Sequence, residues 1–132
     1  MEDFSEHSSH PQASQVRSIL RGLIASSGGA VDAAAAMTTD GLIIGSALRE
    51  NMDQDLFAAM NASLLVLAEK ASGEVDIGNL KQVMVMGDQG LMLLTHVGND
   101  AVLALATDPK ANLGKILLDT NKTATKLKEL LS

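Results

Sequence analysis

The sequence predicts an α/β fold of the α+β kind, with elements in the order α-β-β-α-β-β-β-α and antiparallel strands covered by helices. Three observations predict it. Asp40-Gly41, Gly87-Asp88-Gln89-Gly90 and Gly98-Asn99-Asp100 each join two short apolar runs by the few residues that an antiparallel hairpin needs. The last three runs, Val83 to Met86, Leu91 to Leu94 and Ala101 to Ala106, are apolar at successive positions instead of alternating, so both faces of the sheet need cover. Three segments of helical periodicity or propensity sit between and around them to supply that cover.

Composition bounds the rest. A chain of 132 residues makes one domain able to bury a core without metals or disulfides. There are no cysteines, which removes thiolate metal sites, disulfides and cysteine nucleophiles. A formal net charge of −6 argues against nucleic acid, since phosphate contacts need clustered Lys and Arg. No apolar run approaches the roughly 20 residues of a membrane span. The opening MEDFSEHSSHPQ lacks the basic and apolar regions of a signal peptide, so a soluble cytoplasmic protein is expected. Phe4 and Phe57 are the only aromatic residues, too few for base-stacking platforms or an aromatic-lined ligand pocket.

Residues Met1 to Pro11 have almost nothing to bury and read as a disordered tail, leaving 12–132 as the domain. His7 and His10 lie three apart, but a pair without a third ligand makes no metal site. From Gln12 to Ser27, Val16, Ile19, Leu20, Leu23 and Ile24 follow helical spacing, and Gly28-Gly29 ends the helix. Val31 to Thr39 and Leu42 to Ala47 flank Asp40-Gly41 and are predicted as two strands around a type I′ turn, despite the helix-favouring Ala33 to Ala36. Asn51, with Gln54 as reciprocal partner, is the predicted cap of the next helix.

That central helix, Asp53 to Ser72, is unusual. Leu56, Met60, Leu64, Leu67 and Ala71 make one stripe, while Phe57, Leu65 and Ala68 carry the apolar surface round the flank. Gln54, Asn61, Ser72 and the Glu69-Lys70 pair leave only a narrow wet strip. A helix so apolar needs cover on more than one face, and in a short chain the second cover has to come from another molecule. Gly73 and Asp76-Ile77-Gly78 read as a loop, followed by strands over Leu80 to Met86, Leu91 to Val97 and Ala101 to Thr107. Asp108-Pro109 is predicted to open the last helix, with Leu113, Ile116, Leu117, Ala124, Leu127 and Leu131 inward and Lys115, Lys122, Lys126 and Lys128 outward.

Catalytic patterns are missing. Gly114-Lys115 has no glycine five residues ahead of it, so there is no phosphate-binding loop, and GxGxxG is absent. His96 has no nucleophile motif to serve. Asp53 and Asp55 suit the first turn of a helix through its dipole, and no calcium-loop spacing follows them. The sequence therefore implies no catalytic residues, no metal and no cofactor, and points to a protein that binds another protein.

Gly28-Gly29, then TTDGLIIGSAL, then Leu56, Ala58 and Ala59, the apolar strand pair around Gly90, and LALATDPKANLG from Leu103 to Gly114 together resemble the roadblock / dynein light-chain domain family, in its prokaryotic branch. The resemblance covers Val16 to Leu131. It implies a profilin-like three-layer α/β/α sandwich, a five-stranded antiparallel sheet in the order 2-1-5-4-3, and a homodimer built through the third strand and the central helix. Leu64, Leu67, Ala68, Ala71, Val83, Met84, Val85 and Met86 would form that interface. The family is non-catalytic: it regulates or scaffolds small Ras-like GTPases or tethers dynein motors, and one prokaryotic member activates its GTPase. Arg49, Gln54, Asn61 and Ser72 become the expected partner-binding surface, with Arg49 the one candidate for an arginine finger. Competing implications are a structural adaptor of the dynein-light-chain type and a ligand-sensing domain of similar shape.

Overall fold

The computed structural model describes residues 10–132, so His7 and most of the expected tail lie outside the described residues. The elements run α1 (Ala13–Ser26), β1 (Val31–Thr38), β2 (Ile43–Ala47), α2 (Gln54–Glu74), β3 (Gln82–Gly87), β4 (Gly90–Val97), β5 (Ala101–Thr107) and α3 (Leu113–Leu131). The strands form one antiparallel sheet in the order β2-β1-β5-β4-β3. Alternation of side chains sorts its buried residues into two cores. Ala34, Ala36, Leu93, Leu103 and Leu105 face α1 and α3, meeting Val16, Leu20, Ile116 and Leu127. Ala35, Met37, Leu94, Val102 and Ala104 face α2, meeting Phe57, Ala58 and Leu65.

Small residues set how closely the helices approach. A Cβ placed on Gly45 would lie 2.8 Å from Val16 Cγ1 and 3.1 Å from the Ala13 carbonyl oxygen, so α1 crosses β2 where β2 has no side chain. On the other face, a Cβ on Gly41 would lie 3.3 Å from both Ala59 Cα and Ala62 Cβ, so the β1–β2 turn rests on the alanines of α2. Gln12 Nε2 donates to the Leu130 carbonyl at 2.8 Å, and Lys115 Nζ to the Ser26 carbonyl at 3.1 Å. The two bonds pin opposite ends of the α1–α3 pair. Lys115, predicted to face solvent, is thus a tie between helices that also holds Asp119 at 2.6 Å.

Four local predictions are corrected. The β1–β2 turn is not type I′, which needs positive φ at both central residues: only Gly41 has it, at 89°, and Asp40 does not. Gly41 N–H donates to the Thr38 carbonyl at 3.0 Å, a type I turn closed by a left-handed glycine, and the register slips between Ala36 and Met37. Asn51 does not cap α2. Asp53 does, its Oδ1 accepting from the N–H groups of Asp55 and Leu56 at 3.0 and 3.1 Å, while Gln54 is engaged by Ser46 Oγ at 2.8 Å. Gly73 is helical. α2 runs on to Glu74 and ends in a Schellman closure, with Asp76 N–H on the Gly73 carbonyl, Ile77 N–H on the Ser72 carbonyl, and Asp76 left-handed at φ 57°.

The fourth concerns α3, which opens at Leu113 and not at Pro109. Asp108 donates its N–H to the Ala30 carbonyl at 2.9 Å and its Oδ1 accepts from Lys110 N–H, spending it in a turn. Asn112 then caps the helix by accepting from Lys115 N–H at 3.1 Å.

The contact at Gly45 gives a direct test. Gly45→Ala would drive a methyl into a β-branched side chain and a backbone carbonyl, and should cost about 1–3 kcal/mol in denaturant unfolding. Gly22→Ala, where a Cβ meets nothing within 4 Å, should be neutral or stabilising in the same measurement.

A candidate protein-docking site on the central helix and the β3 edge

α2 buries one stripe against the sheet and leaves several large apolar side chains outside. Phe57, Ala58, Asn61, Ala62, Leu65 and Ser72 are buried, whereas Leu56, Met60, Val66 and Leu67 are 56, 55, 44 and 64% exposed. The Gly41 turn rests on Ala59 and Ala62, and the alanines of β1 leave room beside it for Phe57 and Leu65. Ala59, Met60, Ser63, Leu64 and Leu67 line a shallow apolar depression on the outer face.

This apolar surface runs on to the sheet edge. β3 is hydrogen-bonded to β4 on one side only and ends the sheet. Val83 and Val85 stand opposite Leu94 and Met92, on the α2 side, and Leu64 and Val83 pack at the margin of the same core. Met84 and Met86 point to the other side and are 38 and 75% exposed.

Among the predicted dimer residues, Leu67, Ala71, Met84, Val85 and Met86 are exposed and Leu64, Ala68 and Val83 are half-buried. Sequence reasoning did not single out Leu56, Met60 and Val66 as part of this outer face.

Two residues of the predicted polar strip, Asn61 and Ser72, lie inside, while Glu69 and Lys70 are exposed. Asn61 is 1% exposed, with Nδ2 donating to the Phe57 carbonyl at 2.8 Å and Oδ1 buried without a partner in the protomer. Ser72 is 5% exposed, and its Oγ donates to the Gly78 carbonyl at 2.7 Å within the closure of α2. Both were assigned outward because polar residues on a helix normally face water. Here each has a local backbone partner that makes burial tolerable. Gln54 is half-buried against Ser46. Arg49 is exposed, yet its Nη1 lies 3.4 Å from Asp32 Oδ2 and its Nε 3.4 Å from Met52 Sδ, which ties the guanidinium back to β1 and its own loop.

His96 Nε2 lies 3.7 Å from Glu69 Oε2, a contact joining β4 to α2 without a hydroxyl or thiol nucleophile in the pair. Among the described residues no three His, Cys, Asp or Glu side chains could hold a metal ion, and no helix is long and apolar enough to cross a membrane.

The comparisons agree with the fold. A family model described as Roadblock/LC7 domain matches residues 12–107. The uncharacterized proteins MJ0714 and MJ0310 of Methanocaldococcus jannaschii are 36 and 35% identical to the chain over 91 residues, which is 69% of it and 76 and 79% of theirs. Among solved structures, MglB of Myxococcus xanthus superposes with a TM-score of 0.82 at 18% identity, over 89% of this chain and 94% of its own. A Roadblock/LC7 domain from Streptomyces avermitilis gives 0.81 at 21% identity, over 87 and 96%. At these identities the structural likeness concerns the fold.

The inward placement of Asn61 is testable. Asn61→Leu removes an unpartnered buried oxygen and should leave thermal stability unchanged or raised, while Asn61→Arg should unfold the protein. A loss above about 2 kcal/mol in Asn61→Leu would mean that Oδ1 is satisfied in the assembled protein.

Proposed function

The chain belongs to the Roadblock/LC7 domain family, and from that premise we propose that it is a homodimeric, non-catalytic regulator of a small Ras-like GTPase. One observation carries the proposal: the exposed apolar face of α2 continues through Leu64 onto a free β3 edge. The sheet has two edges, and they differ. β2 is five residues long, buried or half-buried throughout, and crossed by α1 at Gly45. β3 is an exposed Val-Met-Val-Met run, the kind of edge that aggregates unless it is paired.

Pairing β3 with its mate about a two-fold axis extends the sheet to twice its strands and brings the two α2 helices together. Leu64, Leu67, Ala68 and Ala71 then meet their copies, and the interface buries roughly 1,200–2,000 Å² or more. The remaining outer surface of the α2 pair, with Leu56, Val66 and Arg49 at its margin, is the platform offered to the GTPase. A platform of this kind acts by holding the switch loops in one arrangement and so shifting their populations. Arg49 is engaged with Asp32 across an exposed 3.4 Å pair, which supports reading it as a surface loop arginine and not as a finger.

A second reading, a structural adaptor indifferent to nucleotide, rests on the same surface. The two part on one measurement. Binding to a Ras-like GTPase loaded with GDP or with a non-hydrolysable GTP analogue should differ at least about tenfold for a regulator, whereas equal affinity supports the adaptor.

Two substitutions test the parts. Leu67→Glu places a charge on a side chain that is 64% exposed in the protomer, so circular dichroism should be unchanged while light scattering reports a monomer. A dimer that survives it would refute the α2 contact. Arg49→Ala should change GTP hydrolysis in the complex by less than about twofold, against the roughly 10³-fold or greater loss expected of a finger.

A further inference from the structure

We propose that residues 1–9, which precede the described part of the chain, fold back into an open groove between α1 and α3 and neutralise it. Charge is distributed unevenly in this protein. α1 and α3 carry Arg17, Arg21, Lys115, Lys122, Lys126 and Lys128 against Asp119 and Glu129, a balance of +4 in a chain of net charge −6. Residues 27–112 hold four basic side chains against eleven acidic ones. Residues 1–9 contain Glu2, Asp3 and Glu6 and neither Lys nor Arg. An acidic segment is thus joined directly to the basic layer of the molecule.

The layer has a place for it. The two helices run antiparallel, with Gln12 Nε2 on the Leu130 carbonyl at one end and Lys115 Nζ on the Ser26 carbonyl at the other. Between these ties lies a groove of about 440 Å³, where Ile19, Gly22 and Leu23 of α1 face Lys122, Thr123 and Lys126 of α3. Gly22 sits in the interior of α1, where glycine costs helix stability relative to alanine, and a Cβ there would meet nothing within 4 Å. No contact among the described residues calls for that glycine, and it leaves bare backbone on which an incoming chain can lie close. Lys122 and Lys126 are exposed, and among the described residues neither enters an ion pair.

The length of the segment fits. An extended chain advances about 3.3 Å per residue and a helix about 1.5 Å, so a segment running back along α1 passes about two helical residues with each of its own. Counted from residue 10, Glu6 comes level with Ile19, within a turn of Lys122 and Lys126, and Phe4 comes level with Gly22 and Leu23. Glu6 then supplies a carboxylate to two lysines, and Phe4 an apolar side chain to the floor. α1 begins beside Gly45 of β2, at the sheet edge furthest from β3, so the contact is made within one chain whether or not β3 is paired. Tethering gives the segment an effective concentration of about millimolar, enough for contacts too weak to hold a free peptide. The segment acts as a built-in blocker, which an acidic peptide of another protein has to displace before it can use this groove.

The test uses the full chain. It has no cysteine, so a spin label at Ser5→Cys is unique. Paramagnetic broadening of amide signals should be strongest from Ile19 to Leu23 and from Lys122 to Lys126, and should fall at least about threefold in 1 M salt, where the Debye length shrinks to about 3 Å. Lys122→Gln/Lys126→Gln should lower it likewise with the other amide shifts kept, and Lys81→Gln, an exposed lysine before β3, should not. Broadening confined to the first turn of α1, as for any attached chain, or spread evenly over the molecule overturns the docking. Broadening around Arg17 and Arg21 alone moves the segment to the other flank of α1 and overturns the groove. Broadening unchanged by salt and by the lysine variants overturns the ion pairs. Broadening passed from a spin-labelled chain to a separate isotope-enriched chain puts the segment on a second copy and overturns the contact within one chain.

Discussion

The architecture depends on how little side chain stands between the sheet and the helices at a few crossings. β1, the second strand of the sheet, carries Ala33 to Ala36 fully buried, with methyl groups on both faces. β2 has Gly45 where α1 crosses it, and the turn between them has Gly41 where α2 crosses. Close approach at these points brings Val16, Leu20 and Leu23 of α1 and Phe57 and Leu65 of α2 onto the larger leucines of β4 and β5. Packing of this density is sensitive to a single methyl, because the contacts that it would displace are backbone or β-branched.

The same constraint orients α2. A helix apolar on most of its circumference has several ways to lie on a sheet, and hydrophobicity alone does not choose among them. The alanine-lined floor selects the stripe containing Ala58 and Ala62, and Leu56, Met60 and Leu67 are left outside as a consequence. The exposed apolar face is thus a by-product of how the inner face was satisfied. Together with the free β3 edge it makes a protomer that buries less of its apolar surface than its composition offers. That pattern suits a protein whose work is contact with other chains.

Much of the fold was legible in the sequence because the signals are local. The eight elements, their order and the three hairpins follow from glycine placement and apolar periodicity, and β5 falls at Ala101–Thr107 as read. The roadblock resemblance supplied the sheet order, which no local signal carries. Two helix caps were read too early, by two residues at α2 and by four at α3. Asn51 and Asp108 are good caps by chemistry, but Asp53 and Asn112 hold the positions where the backbone turns into the helix. Which of several competent caps is used depends on where the preceding strand releases the chain, as the bond from Asp108 N–H to the Ala30 carbonyl illustrates.

The candidate site divides along the same line. By itself the sequence determined that the central helix has more apolar surface than one sheet can cover and that the third strand is apolar from Val83 to Met86. Those properties are sums over residue types and survive any orientation. Only the tertiary structure decided which side of α2 is outside, and it placed Asn61 and Ser72 inward. Rotation of a helix about its axis is fixed by shape against the sheet, and two polar side chains with local backbone partners at Phe57 and Gly78 offer too little resistance to reverse it.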